Sequence, residues 1–161
     1  MHKRAQEIVA AFGLQGHPEG GFFAEVFRSD SAVSPSGERG ARSALTVIYF
    51  LLEKGGFSRW HKVVSDEVWH FCEGGPLELF SAPPGGGVAQ RVLLGTLADG
   101  CEPIHVVQAG WWQAARPLGT YALASCTVGP GFDFADFTIL SDLPKHERPS
   151  IRPSHLLEEL A

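Results

Sequence analysis

The chain has 161 residues, a formal net charge of −5, 44% hydrophobic and 11% aromatic content. That is length for one domain with a core, a composition too apolar for disorder, and a charge that disfavours nucleic-acid or anionic-membrane partners. No apolar run reaches the roughly eighteen residues of a bilayer-spanning helix, and no secretory segment follows the basic Met1–Arg4 opening, so the cytoplasm is the expected compartment.

Residues 3–12 place Ile8, Val9 and Phe12 at helical spacing, with Gly13 as a stop. This predicts a short amphipathic helix. His17-Pro18-Glu19-Gly20-Gly21 is turn-rich, and Phe22–Arg28 then alternates as a strand with Phe23, Glu25 and Phe27 on one face. Residues 30–42 read as a mobile loop. Residues 43–52, SALTVIYFLL, are apolar on both faces and predict a central covered strand.

Short strand-like segments follow at hairpin spacing: 59–64, 67–72, 77–82, 88–95, 104–107, 111–115, 121–128 and 134–140. Gly and Pro, about a fifth of the chain against a usual eighth, punctuate most of the gaps. The pattern predicts an all-β barrel or jelly roll. Ser154 precedes a last helical turn with Leu156, Leu157 and Leu160. One domain spans 1–161, with its core at about 5–140 and a tail at 141–161. Cys72, Cys101 and Cys126 stand at unrelated spacings and read as buried free thiols.

The segment 55–74 carries the chemistry. His61 and Val63 share a strand face, and Glu67, Trp69 and Phe71 share a face on the next strand. If the two strands pair with these faces inward, a carboxylate meets an imidazole, the arrangement of a general base. The bland alternative is a rim ion pair. Parity also points Trp69 and Trp111 inward, and Trp60 and Trp112 outward. Exposed indoles would mark an interface, so a homodimer is expected. Glu25, set between phenylalanines, belongs at the barrel mouth or pairs with Arg28 or Arg42.

Gly55, His61, Glu67 and Gly74, with Gln108, Gly110 and Gln113, resemble the two motifs of the cupin superfamily. His17–Phe23, Ser65–Phe71, Gly110–Ala114 and Pro130–Phe137 together resemble its cupin 5 subfamily, the domain of unknown function 985, over roughly 5–140. The resemblance implies a cupin-type antiparallel barrel. Such proteins typically hold a metal with three histidines and a glutamate, but Val63 and Gln113 stand at two of those positions. No metal cofactor is therefore expected, and His61, Glu67 and Gln113 are the candidates should a divalent ion bind.

Three functions stay open. One is a metal-independent enzyme resembling the cupin-fold carbohydrate epimerases, with His61 as base, Glu67 orienting it and Tyr49 as opposing acid. Another is a non-catalytic module for a sugar, nucleotide or hydrophobic metabolite, lined by Gln113, Trp69, Trp111 and Glu25. The third is a degenerate divalent-metal site. A small-molecule ligand is expected in each of the first two.

Overall fold

The computed structural model describes residues 1–37 and 39–161. The chain opens with α1 (Lys3–Phe12), then β1 (Gln15–Gly16), β2 (Phe22–Arg28), β3 (Ala32–Val33), β4 (Arg42–Ser43) and β5 (Thr46–Glu53). Next come β6 (Ser58–Val63), β7 (Asp66–Gly74), β8 (Leu77–Ala82), β9 (Gly86–Val88) and β10 (Gln90–Leu94). The last stretch holds β11 (Ile104–Val107), β12 (Trp112–Pro117), β13 (Tyr121–Gly129), β14 (Phe137–Ile139), β15 (Ser150–Arg152) and α2 (His155–Glu159).

Two antiparallel sheets face each other. One has the order β1-β2-β5-β13-β7-β11 and the other β10-β8-β12-β6-β14. Their inner faces share a core of Phe50, Leu52 and Trp69 from the first sheet and Leu77, Leu79 and Ala115 from the second. This is the predicted all-β jelly roll, as a sandwich of two separate sheets. On β5 the alternation is strict: Thr46, Ile48 and Phe50 face the interior, while Tyr49 and Leu51 face out onto α1. A strand covered on both faces must be apolar on both, which is why residues 43–52 show no polar side. No helix of the described chain is long and apolar enough to cross a membrane.

Five expectations need correction. Residues 88–95 split at Ala89 into β9 and β10, and 134–136 form a 3₁₀ turn ahead of β14. Cys72 is exposed rather than buried. The loop over 30–42 contains β3, which pairs with β4, and Arg39 and Arg42 bind Asp136 at 2.7 and 2.9 Å; Glu38 lies outside the described residues. Trp60 and Trp112 do leave the barrel interior, but each is only 1% exposed. They pack with Leu140, Ile151, Leu156 and Leu160, and the Trp60 indole donates to the Leu156 carbonyl at 3.0 Å. The chain's own tail covers the face that was expected to be exposed, so these indoles no longer argue for a dimer.

Asp136 fastens the segment 131–137 to the body of the domain. It is 5% exposed and receives both guanidinium groups, which hold its carboxyl below the usual range, hydrogen bonding from Arg42 first. The Phe132 amide also donates to Thr46 Oγ1 at 2.9 Å. Asp136→Ala leaves two largely buried cations without their anion and should cost about 2 kcal/mol. Urea unfolding measures this, and a loss below about 0.5 kcal/mol would make the clamp a surface contact.

Candidate functional site

A cavity of about 290 Å³ opens between the sheets at the end where β2, β5 and the 131–137 segment meet. Its walls carry Phe23, Phe50, Trp69, Phe132, Phe134 and Phe137. Its floor carries four titratable side chains: His17, Glu19, His61 and Glu67.

The floor is built from a turn and two strands. Gly20 and Gly21 sit at φ +110° and +69°. A Cβ on Gly20 would lie 2.2 Å from the Phe57 carbonyl oxygen, and one on Gly21 would lie 2.7 Å from that of Leu51. Only glycine fits such a close backbone approach at positive φ. The turn is thus pressed against its neighbours, the Arg59 amide donates to the Glu19 carbonyl at 2.8 Å, and the side chains of His17 and Glu19 enter the cavity.

His61 and Glu67 both face the interior, as alternation predicts, but not as a hairpin. β6 belongs to the five-stranded sheet and β7 to the six-stranded one. The short connection crosses between sheets, and the two residues face each other across the sandwich.

The direct carboxylate partner of His61 is Glu19, which sequence reasoning missed. His61 Nε2 lies 3.3 Å from Glu19 Oε2, with both groups buried. The other ring nitrogen, Nδ1–H, donates to the Arg59 carbonyl at 2.8 Å. That bond fixes the tautomer and leaves the Nε2 lone pair toward Glu19. The Ser58 hydroxyl donates to Glu19 Oε1 at 2.8 Å, and His17 Nδ1 lies 3.4 Å from Oε2. The signal available in the sequence was a carboxylate and a histidine in a glycine turn too tight to be merely a connection.

Burial pushes the Glu19 carboxyl up to about 8, partly opposed by the Ser58 hydrogen bond. It pulls His17 down to about 4 and lowers His61 as well, against the attraction of Glu67. Glu67 is raised, again chiefly by burial. Near neutral pH the floor therefore holds the Glu19 carboxylic acid beside neutral imidazoles, a donor next to an acceptor.

Gln113 lies beneath the floor. The Trp69 indole N–H can only donate, so it fixes the amide orientation: Oε1 accepts from Trp69 at 2.9 Å, and Nε2 donates to Glu67 Oε2 at 2.5 Å. Glu25 reaches the mouth and binds Arg28 through both oxygens, at 2.8 and 2.6 Å. A bulge between Glu25 and Phe27 turns Phe27 outward, 51% exposed, instead of onto the face of Phe23, and brings Arg28 to the cavity.

Two expected site residues lie elsewhere. Tyr49 is on the outer face of β5 against Phe12, ring centroids 4.7 Å apart, because it alternates with cavity-facing Ile48 and Phe50. Trp111 points inward but packs on the core at the far end of β12, beside His105 and Val107, outside this cavity.

Comparison with known proteins agrees with this architecture. The family described as Cupin superfamily (DUF985), Cupin_5, matches residues 6–140. The chain belongs to the Cupin_5 family. Two solved structures are similar at 30% identity: a hypothetical protein from Leishmania major, TM-score 0.81, with 98% of each chain covered, and a Shewanella oneidensis protein, TM-score 0.82, with 98% of this chain and 96% of that one. CapF, a capsular polysaccharide assembling protein of Staphylococcus aureus, shares the fold at 14% identity and TM-score 0.58, over 78% of this chain and 31% of its own. No curated protein matches the sequence.

The residues present do not fit the three-histidine, one-glutamate metal set of many cupins. Val63 has no lone pair. Gln113 spends its amide oxygen on Trp69 and its amide nitrogen on Glu67. His61 aims its one free nitrogen at Glu19. Among the described residues, no three His, Cys, Asp or Glu side chains are grouped to hold an ion.

Proposed function

We propose that this Cupin_5 protein is a metal-independent isomerase-type enzyme that moves a proton on a small carbonyl compound held in the barrel cavity. The observation that carries this is the buried Glu19–His61 contact, 3.3 Å between Oε2 and Nε2, with Nδ1 anchored to a backbone carbonyl. His61 Nε2 takes the proton from the carbon next to the carbonyl, and the protonated Glu19 carboxyl gives its proton to the carbonyl oxygen. The product is a neutral enol beside an imidazolium–carboxylate pair. The imidazolium then gives its proton to the same carbon, or to the former carbonyl carbon when the substrate is an α-hydroxy carbonyl, while the Glu19 carboxylate takes an enol hydroxyl proton back. This exchanges or isomerises the substrate and restores both side chains.

Tyr49 takes no part, since it lies outside the cavity. That removes the phenol expected to act from the opposite face, so the geometry favours isomerisation on one face over epimerisation. Glu67 becomes a second carboxyl group on the floor, held by Gln113, rather than the direct partner of His61. The aromatic walls favour one other reading, a binding module without chemistry.

Solvent deuterium separates the two. Hydroxyacetone incubated with the protein in D₂O should gain deuterium at its α-carbons faster than in buffer, read by proton NMR. His61→Ala and Glu19→Gln should each slow this by about 100-fold. Exchange in His61→Ala equal to that of the parent protein would leave only the binding module.

A further inference from the structure

The cavity's charges and size narrow what it holds. Its mouth carries two carboxylates, Glu25 and Asp133, and one permanent cation, Arg28. The Arg28 guanidinium is already spent: it binds Glu25 at 2.6–2.8 Å and the Phe132 carbonyl at 3.3 Å. An incoming phosphate or carboxylate would have to break that two-pronged pair and approach Asp133 as well.

Two backbone amides beside the mouth are already spent: the Phe132 amide donates to Thr46 Oγ1, and in the short turn at Phe134–Asp136 the Ala135 amide donates to Asp133 at 2.8 Å. Among the described residues, no lysine lines the cavity. The floor adds two further carboxyl groups, Glu19 and Glu67, and both are buried. Among the described residues, an anion thus finds no unpaired lysine or arginine from mouth to floor. An organic cation fares little better, because Glu25 is already paired with Arg28, Asp133 is exposed at the rim where water screens it, and an ammonium group on the floor would require a buried carboxyl to ionise.

What remains favourable is an aromatic wall and a floor of hydrogen-bonding groups. Six aromatic side chains supply faces and edges for a ring. The volume, about 290 Å³, lies just below the roughly 300–1,000 Å³ of drug-sized sites. One ring with its substituents fits, and a nucleotide joined to a sugar does not.

We infer that the cavity is a site for an uncharged, ring-sized organic molecule bearing a hydroxyl or carbonyl group, and that the Glu25–Arg28 pair is the gate that turns anions away. The inference deepens the proton-transfer reading by naming its substrate class, and it rests on the same cavity serving that reaction. It separates this protein from enzymes on nucleotide-linked sugars, whose phosphates call for free cations, because the Arg28 guanidinium at this mouth is already paired.

Three probes of one shape and different charge test it: benzyl alcohol, benzoate and benzylammonium, titrated at neutral pH while following the Trp69 indole N–H resonance. Benzyl alcohol should bind about tenfold or more tightly than either ion. In Glu25→Gln, Arg28 is released, and the affinity of benzoate relative to benzyl alcohol should rise by about tenfold. Benzoate binding as well as the alcohol in the parent protein would overturn the inference, and so would benzylammonium binding best. An unchanged benzoate ratio in Glu25→Gln would remove the gate. No saturable shift with any probe would show that the cavity is not a ring-sized site. None of these readouts depends on catalysis, so absent deuterium exchange with the expected charge preference would sink the proton-transfer reading alone.

Discussion

The folded protein should lose stability as pH rises from 6.5 to 8, and Glu19→Gln should remove most of that loss. Glu19 has a carboxyl raised from 4.5 to about 8 by burial, so its native state holds a proton that the unfolded chain has already released. Stability linked to it is complete below pH 4.5 and falls as pH climbs toward 8. His17 works in the opposite sense: it is lowered from 6.5 to about 4, and its linked stability is complete above 6.5 and falls on acidification. Between pH 4.5 and 6.5 the two slopes oppose each other. Above 6.5 only the carboxyl slope is left, worth about 2 kcal/mol by pH 8, or about 5 °C in Tm for a domain of this size. Glu67, raised by burial, and His61, lowered by it, add to the two slopes with the same signs. Calorimetry across this range checks the expectation. A parent Tm that is flat or rising from pH 6.5 to 8 would show that Glu19 is ionised in the native state and cannot donate a proton. Glu19→Gln should also be the more stable protein at pH 8, which would identify the buried carboxyl as a cost retained for chemistry rather than folding.

Period-two alternation and glycine punctuation made most of this fold legible in the sequence, and they worked because each strand has one face whose burial its side chains must match. Phe22–Arg28, Leu77–Ala82 and Ile104–Val107 are bounded as read, and His61, Glu67, Trp69 and Gln113 all point inward by parity. What parity cannot give is the partner of a face. Trp60 and Trp112 were outward but not exposed, since the tail that covers them lies far along the chain. His61 and Glu67 were inward but on different sheets, because a two-residue connection can turn a hairpin or cross a sandwich. Tyr49 obeys the same alternation: Ile48 and Phe50 face the cavity, so it lies outside. Glu19 was invisible to alternation altogether, since it sits in a turn where side-chain direction is set by the positive φ of Gly20 and Gly21 rather than by a strand.

Gln113→Leu is expected to be the most destabilising single change on the cavity floor, at about 3–5 kcal/mol. The amide serves two buried groups at once. It accepts from the Trp69 indole at 2.9 Å and donates to Glu67 at 2.5 Å, and Trp69 is 1% exposed. Leucine keeps the volume but strands one donor and one carboxyl, each away from water, and an unpaired buried polar group costs about 1–3 kcal/mol. The companion substitution Trp69→Phe separates this from a packing defect. In the Gln113→Leu background it removes the stranded donor, so the double variant should recover about 1 kcal/mol relative to the sum of the single losses. Urea unfolding of the four proteins measures the cycle. Purely additive losses would mean that Gln113 only fills space. The consequence reaches the chemistry through Glu67, whose carboxyl the Gln113 hydrogen bond pulls down against burial. Without that bond Glu67 should move further up and stay protonated through a wider pH range. The position where a metal cupin would present a ligand here holds a side chain that sets the acidity of its neighbour.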